Sequence, residues 1–151
     1  MATAEQLAML RAMVDGDFDR QKELSDRLHA AGQLDQYGEV IGAAFYIAVR
    51  MQFPERYSAE DVIQLVANAR SVFDQSGEVI NPRSAELVVR GPLGEYDSAA
   101  NIPDEEVVQT QVVICSYLAA EGKLGDPDAF MGKVRELLDE WAADDAATKD
   151  Q

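Results

Sequence analysis

Carboxylates are the most abundant reactive groups in this chain, and they come in pairs: Glu60/Asp61, Glu105/Glu106, Asp139/Glu140 and Asp144/Asp145. Paired acids could serve a di-metal centre, but in helical proteins such a centre needs Glu-x-x-His on facing helices. His29 is the only histidine, with Asp26 three residues before it, and no second such pair exists. The pairs therefore read as helix N-termini and solvated faces. Cys115 could in principle form a nucleophilic pair with His29. It follows Val112, Val113 and Ile114, however, an apolar stretch in which a thiol is normally inert filling. One Cys and one His are too few to hold zinc. No glycine-rich phosphate loop occurs, since Gly91-Pro92-Leu93-Gly94 has proline where N–H donors are required and no Lys-Ser/Thr follows. No Gly-x-Ser-x-Gly nucleophile elbow occurs either. The expectation is no catalytic, cofactor-binding or metal site, and no cofactor.

Two segments carry part of a calcium-ligand spacing. Phe73-Asp74-Gln75-Ser76-Gly77-Glu78-Val79-Ile80-Asn81, with Glu86-Leu87 beyond, resembles an EF-hand loop between two helices. Leu93-Gly94-Glu95 and Pro103-Asp104-Glu105-Glu106-Val107 resemble the linker between paired EF-hands. An EF-hand loop needs oxygens at positions 1, 3 and 5, glycine at 6 and a bidentate Glu at 12. Counted from Asp74, glycine falls at position 4 and Glu86 at 13. The later stretch Gly122-Lys123-Leu124-Gly125-Asp126 offers a lysine instead. Asp15-Gly16-Asp17-Phe18-Asp19 has the three acids, but Arg20 stands where glycine should be and Asp26 where Glu should be. A degenerate EF-hand-like calcium-binding protein is the last-ranked of three functional readings.

Cations and tyrosines mark a candidate interaction surface. Arg50, Arg70, Arg90 and Arg135 read first as salt bridges joining helices, in a chain this acidic. Arg90 and Arg135 also match across an internal repeat and are the pair to test as a partner or anion contact. Tyrosines are common at interfaces, and Tyr57 and Tyr96 fall in linkers. Arg90, Arg135, Tyr57 and Tyr96 are thus the expected surface.

The elements that position these groups are read from the repeat. Slid against itself by 45 residues, the chain shows eight identities over 60–90, without a gap: Glu60/Glu105, Val62/Val107, Gln64/Gln109, Ser71/Ser116, Gly77/Gly122, Pro82/Pro127, Val89/Val134 and Arg90/Arg135. Apolar residues recur at three- and four-residue steps, as in Val62, Val66, Ala69 and Phe73, and in Phe130, Val134, Leu137 and Trp141. Ser58, Asn81-Pro82 and Asp126-Pro127 are helix starts. Gly32, Gly77 and Gly122 are helix stops. The β-branched run in 107–114 could favour a strand, but its acidic start after Pro103 and the repeat register favour helix. The expected fold is all-α: one domain of about seven helices, built from helical hairpins at a 45-residue offset. Two copies are clear and one is degenerate, with units about 15–52, 58–91 and 103–143. A helix near 3–14 precedes pairs 17–31/34–52, 58–75/82–91 and 103–121/127–143, and 34–52 is the central helix. Residues 144–151 are expected to form a disordered acidic tail. The period and helix content resemble HEAT or armadillo repeats, and the units could stack as a short solenoid or close into a bundle.

Composition bounds the partners. Net charge is −15, from 28 acids against 13 bases. Phosphate contacts need clustered Lys and Arg, so nucleic acid and anionic membranes are disfavoured, while a basic partner would be attracted. Nine Arg to four Lys reads as coding bias, bacterial-like in composition. A lone cysteine suits a reducing compartment. The N-terminal residues lack the pattern of a secretory signal, and the expected location is cytoplasmic. The leading reading is a non-enzymatic protein–protein interaction or self-associating module, whose partner is a basic protein or a second copy. The alternative is a small-molecule-binding protein or enzyme with a pocket between helices.

Overall fold

The computed structural model describes residues 3–32 and 37–149. Among these the regular structure is all helical: α1 (Ala4–Val14), α2 (Phe18–Ala30), α3 (Tyr37–Gln52), α4 (Ala59–Phe73), α5 (Pro82–Arg90), α6 (Asp104–Ala120) and α7 (Pro127–Lys149). A 3-10 turn, Gly91–Leu93, follows α5. Residues 34–36, expected to open α3, lie outside the described residues.

Local chemistry sets the boundaries. Ser58 and Asp61 form a reciprocal capping box at α4. Asn81 Oδ1 accepts from the N–H of Arg83 and of Ser84, and Pro82 opens α5 where its missing N–H costs nothing. Asp126 accepts from the Ala129 N–H at the start of α7. α6 has no side-chain cap; Asp104, Glu105 and Glu106 in its first turn instead face the positive end of its dipole. Gly122 takes a left-handed φ of 68° just past the end of α6, where a side chain would be strained; Gly77, with φ of 74°, does not end α4 as expected but lies in the loop beyond its C-cap Asp74. The segment 107–114 is helix, part of an α6 that packs on α3, α4, α1 and α5. α7 continues to Lys149, past the expected end at 143 and through most of the segment read as a disordered tail. Ala142, Ala143, Ala146 and Ala147 explain this, since alanine propagates helix without needing burial.

α3 is central. Val40, Ile41, Ala43, Ala44, Ala48 and Val49 are completely buried and Phe45 nearly so, which covers more than one side of the helix. It packs on α6, α7, α1 and the 3-10 turn, while α6 packs in addition on α4, α1 and α5. α1 also touches α7, and Arg11 reaches Asp128 at 2.6 Å, so the first and last helices meet and the bundle closes.

Hairpin packing follows the sequence pairing in one unit only. Among the described residues α4 and α5 pack on one another, but neither α2/α3 nor α6/α7 is among the closely packed pairs. α7 packs mainly on α3, and α2 packs on α1. The physical reason is α3: its wide apolar circumference draws both α6 and α7 against it and separates their contact surfaces.

Candidate functional site

The loop between α4 and α5 is organised by one carboxylate. Asp74 caps α4 and is buried, and its Oδ1 accepts from the Val79 N–H (3.0 Å) and the Ser76 hydroxyl (3.3 Å). Its Oδ2 accepts from the Ile80 N–H (3.1 Å) and lies 3.7 Å from Arg70 Nε. Burial raises the pKa of this group, but the two backbone N–H groups, Ser76 and Arg70 outweigh it and hold the carboxyl below its ordinary value. Asp74 thus does internally what a metal would do in an EF-hand: it gathers the loop around one centre. The oxygens that would bind a cation are taken up by donors. Among the described residues no three His, Cys, Asp or Glu side chains converge into a metal-holding group.

This loop turns Ile80 into the core and leaves Val79 outward, 47% exposed. Val79 then borders two adjoining hollows along α6. The first, about 290 Å³, lies between α2 and α6 and is mainly apolar. Met9, Tyr37, Val108, Val112 and Val113 line it, with Gln21 and Ser25 of α2 on its far wall. The second, about 400 Å³, is acidic: Glu78, Glu105 and Glu106 stand around it with Asn81 and Pro103. Val79 and Gln109 line both. One face of α6 therefore carries a groove that is apolar toward its middle and negatively charged at its N-terminal end.

Tyr37 closes the inner end of the apolar hollow. Its hydroxyl is buried and has no hydrogen-bond partner among the described residues. Burial, with Cys115 close by, pushes its pKa up, so it stays neutral. An unpaired buried hydroxyl costs about 1–3 kcal/mol. Tyr37→Phe is therefore expected to raise stability by about 1 kcal/mol in urea denaturation, and a loss of that size would mean the hydroxyl has a partner. Cys115 is itself fully buried, with its thiol pushed up to about 12 by desolvation, and is no nucleophile. His29 stands exposed in the last turn of α2, whereas Cys115 is enclosed.

Of the four residues expected to form an interaction surface, Tyr57 and Arg90 meet at Glu95. Tyr57 donates from its hydroxyl to Glu95 Oε2 at 2.9 Å, and Arg90 Nη1 lies 3.8 Å from Glu95 Oε1. Glu95 ties the two together, and its carboxylate, as acceptor, raises the Tyr57 pKa. Arg50, on α3, donates to the carbonyl of Pro92 in the same region and lies over the Tyr46 ring. Tyr96 is 76% exposed one residue beyond Glu95. Arg135 is exposed on α7, a helix that packs on α3 and α1 and not closely on α5. The matched arginines therefore have different surroundings. Arg90→Ala should cost about 1 kcal/mol by removing a partly buried pair, and Arg135→Ala less than about 0.5 kcal/mol. Equal losses in chemical denaturation would contradict this difference.

Residues of the groove were missed in the sequence reading. Val79, Val108, Val112 and Gln109 look like ordinary helix and loop residues, and Glu105/Glu106 read as helix-start acids. Only the packing of α2 on α1 and of the 74–81 loop against α6 places them side by side. No helix among the described residues is long and apolar enough to cross a membrane. Compared with protein-family models, with curated proteins and with solved structures, the chain matches none of them. The class defined by fold and site is a compact all-α protein with a groove along α6.

Proposed function

We propose that the protein is a non-enzymatic interaction module that binds a basic protein partner along the α6 groove. The observation that carries this reading is the continuity of an apolar hollow with an acidic one across Val79 and Gln109. Apolar surface supplies contact area, and carboxylates at its edge supply steering and orientation. The net charge of −15 adds long-range attraction for a cationic partner. A reducing, cytoplasmic location suits the single buried thiol. The 45-residue periodicity belongs to the same reading as a duplicated helical unit. In its support, α4 and α6 begin 45 residues apart, as do α5 and α7.

The test is affinity capture by the wild type, by Glu78→Gln/Glu105→Gln/Glu106→Gln and by Arg90→Glu/Arg135→Glu. A partner lost with the glutamates and retained with the arginines supports the groove. Loss in the arginine variant alone would move the surface to the Glu95 region. The small-molecule reading is favoured by one feature, the apolar hollow, whose size lies at the lower end for ligand pockets, roughly 300–1,000 Å³. Recovery of bait alone, with a metabolite that raises the melting temperature, would favour it.

A further inference from the structure

We propose that the partner presents a cationic amphipathic helix, which lies in the groove between α2 and α6. This rests on the interaction reading above and names the chemistry of its ligand. A helix in a groove anchors apolar side chains at three- and four-residue steps. The apolar hollow offers a matching floor in Val79, Val108 and Val112. Its lining is mainly apolar, which suits a row of apolar side chains. The acidic hollow adjoins one end of that floor, so Lys or Arg residues at one end of the ridge would meet Glu78, Glu105 and Glu106. Charge complementarity thus sets the direction of the helix as well as its sign.

The wall opposite α6 is lightly anchored. Among the described residues α2 has α1 as its one closely packed helix partner, and buries only Leu24 and Leu28. Its other anchor is Phe18, which sits edge-on against Phe73 with ring centroids 5.5 Å apart. Gln21 and Ser25 face the groove from this wall and offer polar contacts to the partner's backbone ends or side chains.

The probe is a fluorescent Leu/Lys peptide of about 16 residues, long enough to hold a helix, with leucines on one face and lysines concentrated toward one end. A scrambled peptide of the same composition, lacking the face, is the control. Binding is read by anisotropy at low and high salt. The amphipathic peptide should bind at least roughly tenfold more tightly than the scramble. Gln109→Trp, which fills the junction of the hollows from an exposed position, should abolish that preference, and Val79→Ser should reduce it. Glu105→Gln/Glu106→Gln should weaken binding roughly fivefold at low salt, with little change at high salt.

Equal binding of both peptides, unaffected by Gln109→Trp, would overturn the helical ligand and leave attraction to basic partners standing. Failure of both peptides at low salt would overturn the interaction reading as well. A dimer in sedimentation that Gln109→Trp dissociates would make a second copy the occupant and overturn a foreign helix.

Discussion

Phe45→Ala is expected to lower the free energy of unfolding by about 3–5 kcal/mol. Phe45 is 2% exposed and is among the largest side chains shut into the core. It sits on α3, which touches α1, α6 and α7 at once, so the void left by the ring would be bordered by several helices. Ala44 and Ala48 of the same helix are completely buried as well. Domains of this kind have a total stability of about 5–15 kcal/mol, so this single change removes a large share of it. Tyr46, the next residue, supplies the control. It is only partly buried, under the guanidinium of Arg50, and Tyr46→Ala should cost about 1 kcal/mol. Urea denaturation followed by circular dichroism measures both. A cost at Phe45 below about 2 kcal/mol would mean that α3 is not the centre of the core.

Asp74→Ala is expected to cause the largest fall in melting temperature of any polar substitution. It leaves the N–H groups of Val79 and Ile80 and the Ser76 hydroxyl without their common acceptor and Arg70 without its ion-pair partner, and unpaired buried donors are costly. Asp74→Asn keeps one acceptor oxygen but loses the charge, and should fall between the alanine variant and wild type. The pH dependence follows from the sign of the shift. The carboxyl is held below its ordinary value of 3.8 in the folded chain. Its contribution is therefore complete above that value and is lost as pH falls through the lower folded value. Wild type should lose stability more steeply than Asp74→Asn in that acid range and no differently near neutrality. The same experiment addresses calcium. A melting temperature raised by calcium in wild type, and not in Asp74→Asn, would make the loop a metal site and contradict the hydrogen-bond assignment. Because this loop carries Glu78 and Val79, Asp74→Asn should also weaken binding of the amphipathic peptide.

Helix existence and limits were legible from residues that act locally. The Ser58/Asp61 box, the Asn81-Pro82 and Asp126-Pro127 starts and the stops at Gly32 and Gly122 each satisfy or release backbone groups within a few positions, so their meaning survives without tertiary context. The central role of α3 was legible too, since its apolar residues run too far around the helix for one-sided burial. Asp74 was legible as an acid in a calcium-like loop but not as the loop's own anchor. That role depends on the N–H groups of Val79 and Ile80 turning back toward it.

The sequence by itself determined an all-helical chain, the order and approximate ends of its helices, its acidity and its lack of clustered Cys and His. Each of these is a property of composition or of contacts between near neighbours. Tertiary structure alone decided which helices pair, that Arg90 and Arg135 stand in unlike surroundings, and that Val79, Gln109 and the Glu105/Glu106 pair share one groove. Such facts arise from competition among apolar faces for the same partner. Hydrophobic burial is non-directional, so a helix's stripe shows that it must be covered without showing by what.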